Sequence, residues 1–209
     1  MTKRSPLRRR SLLDYLWRRF GEQRAMSLFT VVSAFISIVI MGFAAYLTDA
    51  PFIFPALGPT IFLIFSRPMS PSASPRNIVL GHLFGCLCGW GSLATTGLLG
   101  QESVLTAGVG LPRILAVGLS LSLTSGLLVL FDLDHPPAAS TTLIVSLGLM
   151  SSPAELAVLM LAVAFITAQA VVMNRRAGFP YPLWKPYQDW HPSEGRVRAP
   201  AERVGGRGA

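Results

Sequence analysis

With 209 residues, 51% of them hydrophobic and only 13% charged, the chain carries too little charge for a soluble domain of its length and reads as one membrane domain. Its formal net charge of +8 raises nucleic acid as a partner, but the basic residues gather in the tails and one loop, with no aromatic-basic interleaving in the core. That excludes nucleic acid and points to orientation in a membrane. Only Cys86 and Cys88 occur, inside an apolar small-residue stretch, which excludes a disulfide framework and a four-thiolate site and leaves them as packing residues.

Residues 1–24 carry Lys3, Arg4, Arg8, Arg9, Arg10, Arg18, Arg19 and Arg24 against Asp14 and Glu22, the pattern of a cytoplasmic flank. The apolar run that follows is late and long and has no small-residue cleavage site, unlike a signal peptide. Within the flank, Leu12, Leu13, Leu16, Trp17 and Phe20 recur at helical spacing. They fit a helix lying on anionic headgroups or, equally, a partly ordered tail. Ala25 to Thr48 is free of charge and long enough to cross a bilayer, with Asp49 at its far end. Ala50 to Ser66 begins with Pro51, Pro55, Gly58 and Pro59 and ends with Ile61 to Phe65, so it reads as extended chain followed by a half-helix. Arg67 to Arg76 is a polar, proline-rich loop.

Asn77 to Gln101 is a second span, with Gly81, Gly85, Gly89 and Gly91 at near-helical spacing that lets another backbone approach. Its His82 reads more readily as an interhelical hydrogen bond than as a ligand, and Asn77 as a cap. Glu102 to Pro112 is a loop and Arg113 to Leu130 a third span. Asp132-Leu133-Asp134-His135-Pro136-Pro137 then breaks the apolar pattern. Pro136 holds His135 out of the helical region, Pro137 suits a first helical turn, and a helix is expected from there to about Leu149. Glu155 to Met173 is the last span, with Gln169 expected to bond a neighbouring helix. Phe179, Tyr181, Trp184, Tyr187 and Trp190, spaced by prolines, form an extended arm at the membrane interface, and residues beyond Pro192 are expected to be disordered.

The free N–H groups of a first helical turn attract anions, so the run after His135, helped by Ser140 and Thr141, is a candidate anion site. His135-Pro136-Pro137 with its small-residue run resembles the motif that names the HPP family of integral membrane proteins. So do Phe54-Pro55-Ala56-Leu57-Gly58-Pro59-Thr60, Ser74-Pro75-Arg76-Asn77 and Gly81-His82 before Gly85, over residues 28–185. Members of that family are associated with nitrite transport across chloroplast and cyanobacterial membranes. The resemblance therefore implies a small-anion transporter rather than an enzyme.

Each half of the chain can be written as long span, broken segment, long span. If the broken segments cross, the expected fold is all-α with two inverted repeats, each of two full transmembrane helices flanking a half-helix. If they are re-entrant, four spans remain. The crossing arrangement keeps Arg67 and Arg76 on the cytoplasmic side with both tails and is preferred. It gives a basic flank 1–24, a transmembrane domain 25–176 and an interfacial arm and tail 177–209, in the cell's inner (plasma) membrane. Both half-helix starts then face one midplane cavity, an arrangement similar in architecture to sulfate-permease and nucleobase transporters. The expected substrate contacts are Gly58, Pro59, Thr60, His135, Pro137, Ala138, Ser140 and Thr141, with no cofactor or metal.

His135 either holds the anion and couples a proton to it or caps the break as a neutral ring. Asp132 and Asp134, which would repel an anion, are assigned to proton coupling or to structure. Beyond the anion, the expected partners are membrane lipid and a second copy of the chain in a homodimer. The competing functions are a membrane enzyme using Asp132, Asp134 and His135, and a non-catalytic scaffold.

Overall fold

Four helices, each long and apolar enough to cross a bilayer, frame the computed structural model, which describes residues 12–187, 190–191 and 196–197. They are α2 (Glu22–Thr48), α4 (Pro75–Thr95), α6 (Leu111–Leu130) and α8 (Pro153–Ala177). Between them lie two ten-residue helices, α3 (Leu57–Ser66) and α7 (Pro137–Ser146), each preceded by irregular chain with turns rather than by the extended chain expected before α3. At 1.5 Å per residue these are about 15 Å long, half of what a bilayer requires. The remaining α-helices are α1 (Leu12–Phe20) and the one-turn α5 (Val104–Ala107), which sits in the stretch expected to be a plain loop, and Pro71–Ala73 forms a single 3-10 turn. A two-residue ladder, β1 (Trp190–His191) with β2 (Arg196–Val197), is the one strand pairing among the described residues. Lys3 to Arg10 and most of the tail beyond Pro192 lie outside the described residues.

Local chemistry sets the boundaries. Proline occupies the first turn of α4, α6, α7 and α8, where its missing N–H costs nothing. Ser152 and Glu155 form a reciprocal capping box at the start of α8. Helix α7 stops at Ser146, short of the expected Leu149, because Gly148 turns left-handed (φ 78°) behind it.

Side-chain and backbone contacts sort the segment ends into two groups. At one end Thr30 donates to the Phe65 carbonyl (3.1 Å), the Arg76 N–H to Trp184 (3.0 Å), and the Arg76 guanidinium to the carbonyls of Phe131 (3.1 Å) and Asp132 (3.3 Å). The Tyr181 hydroxyl, fully buried, donates there to Ala73, and burial pushes its pKa well above the ordinary phenol value. At the other end Arg113, itself buried, donates to Ser146 (3.1 Å) and Glu102 (2.8 Å), and the Val104 N–H donates to Leu147 (3.1 Å).

The larger apolar cluster joins α2, α3, α4 and α8 through Met41, Leu57, Phe65, Ile78, Leu159 and Ile166; a smaller one joins α4, α6 and α7 through Leu93, Ala116 and Val145. Outward faces carry Phe35, Tyr46, Leu115, Val129 and Leu161, suited to lipid rather than water. Two expectations change. Leu13 of α1 is buried against Ala25 and Phe179, so part of this helix's apolar face meets protein. The arm after α8 is likewise anchored by buried Phe179 and Tyr181, with Leu183 and Trp184 left exposed.

Candidate functional site

Helix α7 lies along α4 because glycines clear the way. A Cβ built on Gly81 would stand 3.1 Å from the Cβ of His135. On Gly85 it would stand 2.7 Å from the Ala138 carbonyl oxygen, and on Gly89 it would stand 2.7 Å from the Cβ of Val145. The glycine stripe is thus filled inside the subunit, and a homodimer would need another surface. The close approach lowers His82, on α4, into the space where the irregular chain before α7 meets the first turn of α3.

Four polar side chains converge there, all buried: Thr60, His82, His135 and Thr141. His82 Nε2 lies 3.0 Å from Thr60 Oγ1 and 3.2 Å from His135 Nε2, and Thr60 Oγ1 lies 3.5 Å from His135 Nε2. His82 Nδ1 lies 2.6 Å from Thr141 Oγ1, and His135 Nδ1 lies 2.8 Å from the Ser72 carbonyl oxygen. These partners fix the tautomers of two neutral rings. A carbonyl only accepts, so His135 Nδ1 carries the proton and its Nε2 is bare. A bare Nε2 at 3.2 Å needs a donor, so His82 donates from Nε2, leaving its Nδ1 to accept the Thr141 hydroxyl. Thr60 donates to Ala56 one turn earlier (3.0 Å). Every polar atom of the cluster is satisfied with one hydrogen between the two Nε2 atoms.

The other expected contacts divide. Ala138 is buried against Gly81, and Pro137 is buried beside it; Gly58 and Pro59 are exposed, and a Cβ on Gly58 would meet no atom within 4 Å. Ser140 is half-exposed. The first-turn amides expected to attract an anion are already engaged: Leu57 to Phe54, Gly58 to Pro55, Ala138 to His135 and Ala139 to Pro136. Pro59, Pro136 and Pro137 have none to give. Both helix starts keep their dipoles but offer no free donor, so hydroxyls and imidazoles must supply any hydrogen bond to a ligand.

Asp132 and Asp134 are exposed and line an open groove of about 530 Å³ with Ser125, Pro136 and His135. Asp134 accepts from the Ser72 hydroxyl (2.6 Å), while Asp132 adopts a left-handed turn (φ 51°) whose carbonyl is held by Arg76. Asn77 does not cap; it donates to Pro71 (3.1 Å) and ties down the turn beneath His135. Among the described residues no group of three or more His, Cys, Asp or Glu could hold a metal ion. His82 makes the interhelical hydrogen bonds expected of it, to Thr60 on α3 and to Thr141 on α7. Its signal was its setting between Gly81 and Gly85, which marks a place where another backbone comes close.

The transmembrane region of the HPP family matches residues 21–182. The chain belongs to the HPP family. Neither a curated protein nor a solved structure matches it. With four membrane-length apolar helices, this HPP chain is an integral membrane protein, and its family is one regarded as transporter-like. The buried cluster lies within the HPP region, and three of its four residues, Thr60, His82 and His135, fall in the stretches that carry the sequence resemblance.

Proposed function

We propose that the protein moves a small inorganic anion across the membrane, nitrite by family resemblance, and that the anion passes the point where the starts of α3 and α7 meet beside His82. The observation that carries this reading is the approach of Thr60 to His135, two buried polar groups on short, membrane-embedded segments that interrupt the apolar spans. Ionisable groups at such depth are rare and commonly mark ion or substrate pathways. Supporting it, α3 runs from the histidines toward the Thr30 end, whereas α7 runs from them toward the Arg113 end. Two short helices leaving one point in opposite directions fit an inverted repeat in which both broken segments cross. Both tails and the Arg67–Arg76 loop then share the cytoplasmic face of the inner membrane, around a transmembrane domain 25–176.

The test is nitrite uptake into proteoliposomes. Leucine at Ala138 would push into the space between α4 and α7, so Ala138→Leu is expected to cut uptake by about tenfold or more while the protein still elutes as a folded species. His135→Ala is likewise expected to lower uptake, by removing the ring that Thr60 approaches. If both variants transport like the parent, the pathway lies elsewhere.

A second reading draws on the groove that gathers Asp132, Asp134 and His135, a constellation an enzyme would use for acid–base chemistry. Absence of flux from a folded, reconstituted protein would favour it.

A further inference from the structure

Resting on the transport reading, we propose that His82 and His135 act together as a single-proton carrier, so that one proton crosses with each anion. The geometry sets the capacity. Two neutral rings with their Nε2 atoms 3.2 Å apart hold one hydrogen between them. The pair can take up one more proton without losing a hydrogen bond. His82 gains it on Nδ1 while Thr141 turns its hydroxyl toward the carbonyl one turn earlier, the usual partner of a helical threonine. The Nε2 hydrogen of His82 then passes to His135, leaving His82 neutral and His135 an imidazolium that donates from Nδ1 to Ser72 and from Nε2 to His82. No electron moves, and the charge gained is that of one proton. A second added proton would set two N–H groups against each other, so the pair stops at one.

The surroundings make this the missing positive charge. The titratable groups near the pair are Asp134, whose carboxylate meets the same Ser72 that His135 reaches, and Asp132 farther out on the groove; the pair's partners from α3 and α7 are the hydroxyls of Thr60 and Thr141. A groove lined by carboxylates draws protons and repels anions, so it suits release to solvent of the proton that His135 carries on Nδ1, on the Ser72 side, after entry at His82 Nδ1. The first-turn amides of α3 and α7 are occupied, and the guanidinium of Arg76 is committed to the carbonyls of Phe131 and Asp132, so within the cluster a desolvated anion finds its counter-charge when the pair is protonated.

Two measurements decide it. In proteoliposomes carrying a pH-sensitive dye, an inside-alkaline gradient should accelerate nitrite entry, with one proton entering per nitrite. Nitrite entry without proton entry overturns the carrier while leaving anion transport standing. Independently of transport, ¹⁵N-histidine NMR of the purified His191→Asn protein should report uptake of a single proton shared by the two rings. His82→Gln should abolish the shared signal, as should Thr141→Val if the hydroxyl route is correct. Uptake of two independent protons, or one tightly held zinc per chain, overturns the proposal even if nitrite crosses. Absence of nitrite entry with the single shared proton intact overturns the substrate and keeps the carrier.

Discussion

At the scale of single residues, space is set by glycine. A methyl group at Gly85 would press to 2.7 Å on a backbone oxygen of α7, which cannot swing aside as a side chain can. Gly85→Ala is therefore expected to cost about 1–3 kcal/mol, the range for overpacking a tight interior. Gly118→Ala, where no atom lies within 4 Å, should raise helix propensity and cost nothing. Thermal unfolding of both in mild detergent checks the contrast. The role of His135 was legible in sequence because two prolines and two carboxylates interrupt an apolar run. For His82 an interhelical hydrogen bond was legible but its partners were not, because they lie 22, 53 and 59 residues away along the chain. Gln169, expected to bond a neighbouring helix, has no partner for its amide nitrogen or oxygen.

At the scale of elements, the sequence located the spans well, since a bilayer demands long uncharged runs and proline marks their starts. It read the two short helices for the same reason. What it could not weigh was burial of the flanks. Arg113, placed by sequence at the start of a span, is buried and holds the last turn of α7. A cation there complements the negative end of that helix as well as its orphan carbonyls. Arg113→Met should lower stability by about 2–3 kcal/mol, as expected when hydrogen bonds to a charged group are lost from an interior. Arg113→Lys should recover little, because one ammonium cannot span Ser146 and Glu102 as the planar fork does. An unfolding midpoint for Arg113→Met equal to that of the parent would show that other groups hold this end of α7.

At the scale of the whole molecule, the crossing arrangement makes a geometric claim. Cysteines replacing Ser72, near Arg76, and Thr106, in α5, should be labelled by a membrane-impermeant reagent from opposite sides, Ser72→Cys from the side of both tails. Labelling of Ser72→Cys from the side opposite the tails would defeat the inverted repeat and restore four spans with re-entrant loops. The glycine stripe has a mechanical consequence as well. A seam that leaves no room for a methyl group at Gly81, Gly85 or Gly89 cannot slide by a fraction of a turn, so α4 and α7 move as one beam. Helix α3 meets α7 far less extensively than α4 does, and it reaches its place through the irregular chain of residues 49–56. Any movement over the two rings therefore falls to that irregular chain, since α3 itself is held by buried Leu57, Ile64 and Phe65 and by bonds from Thr30 and Asn174.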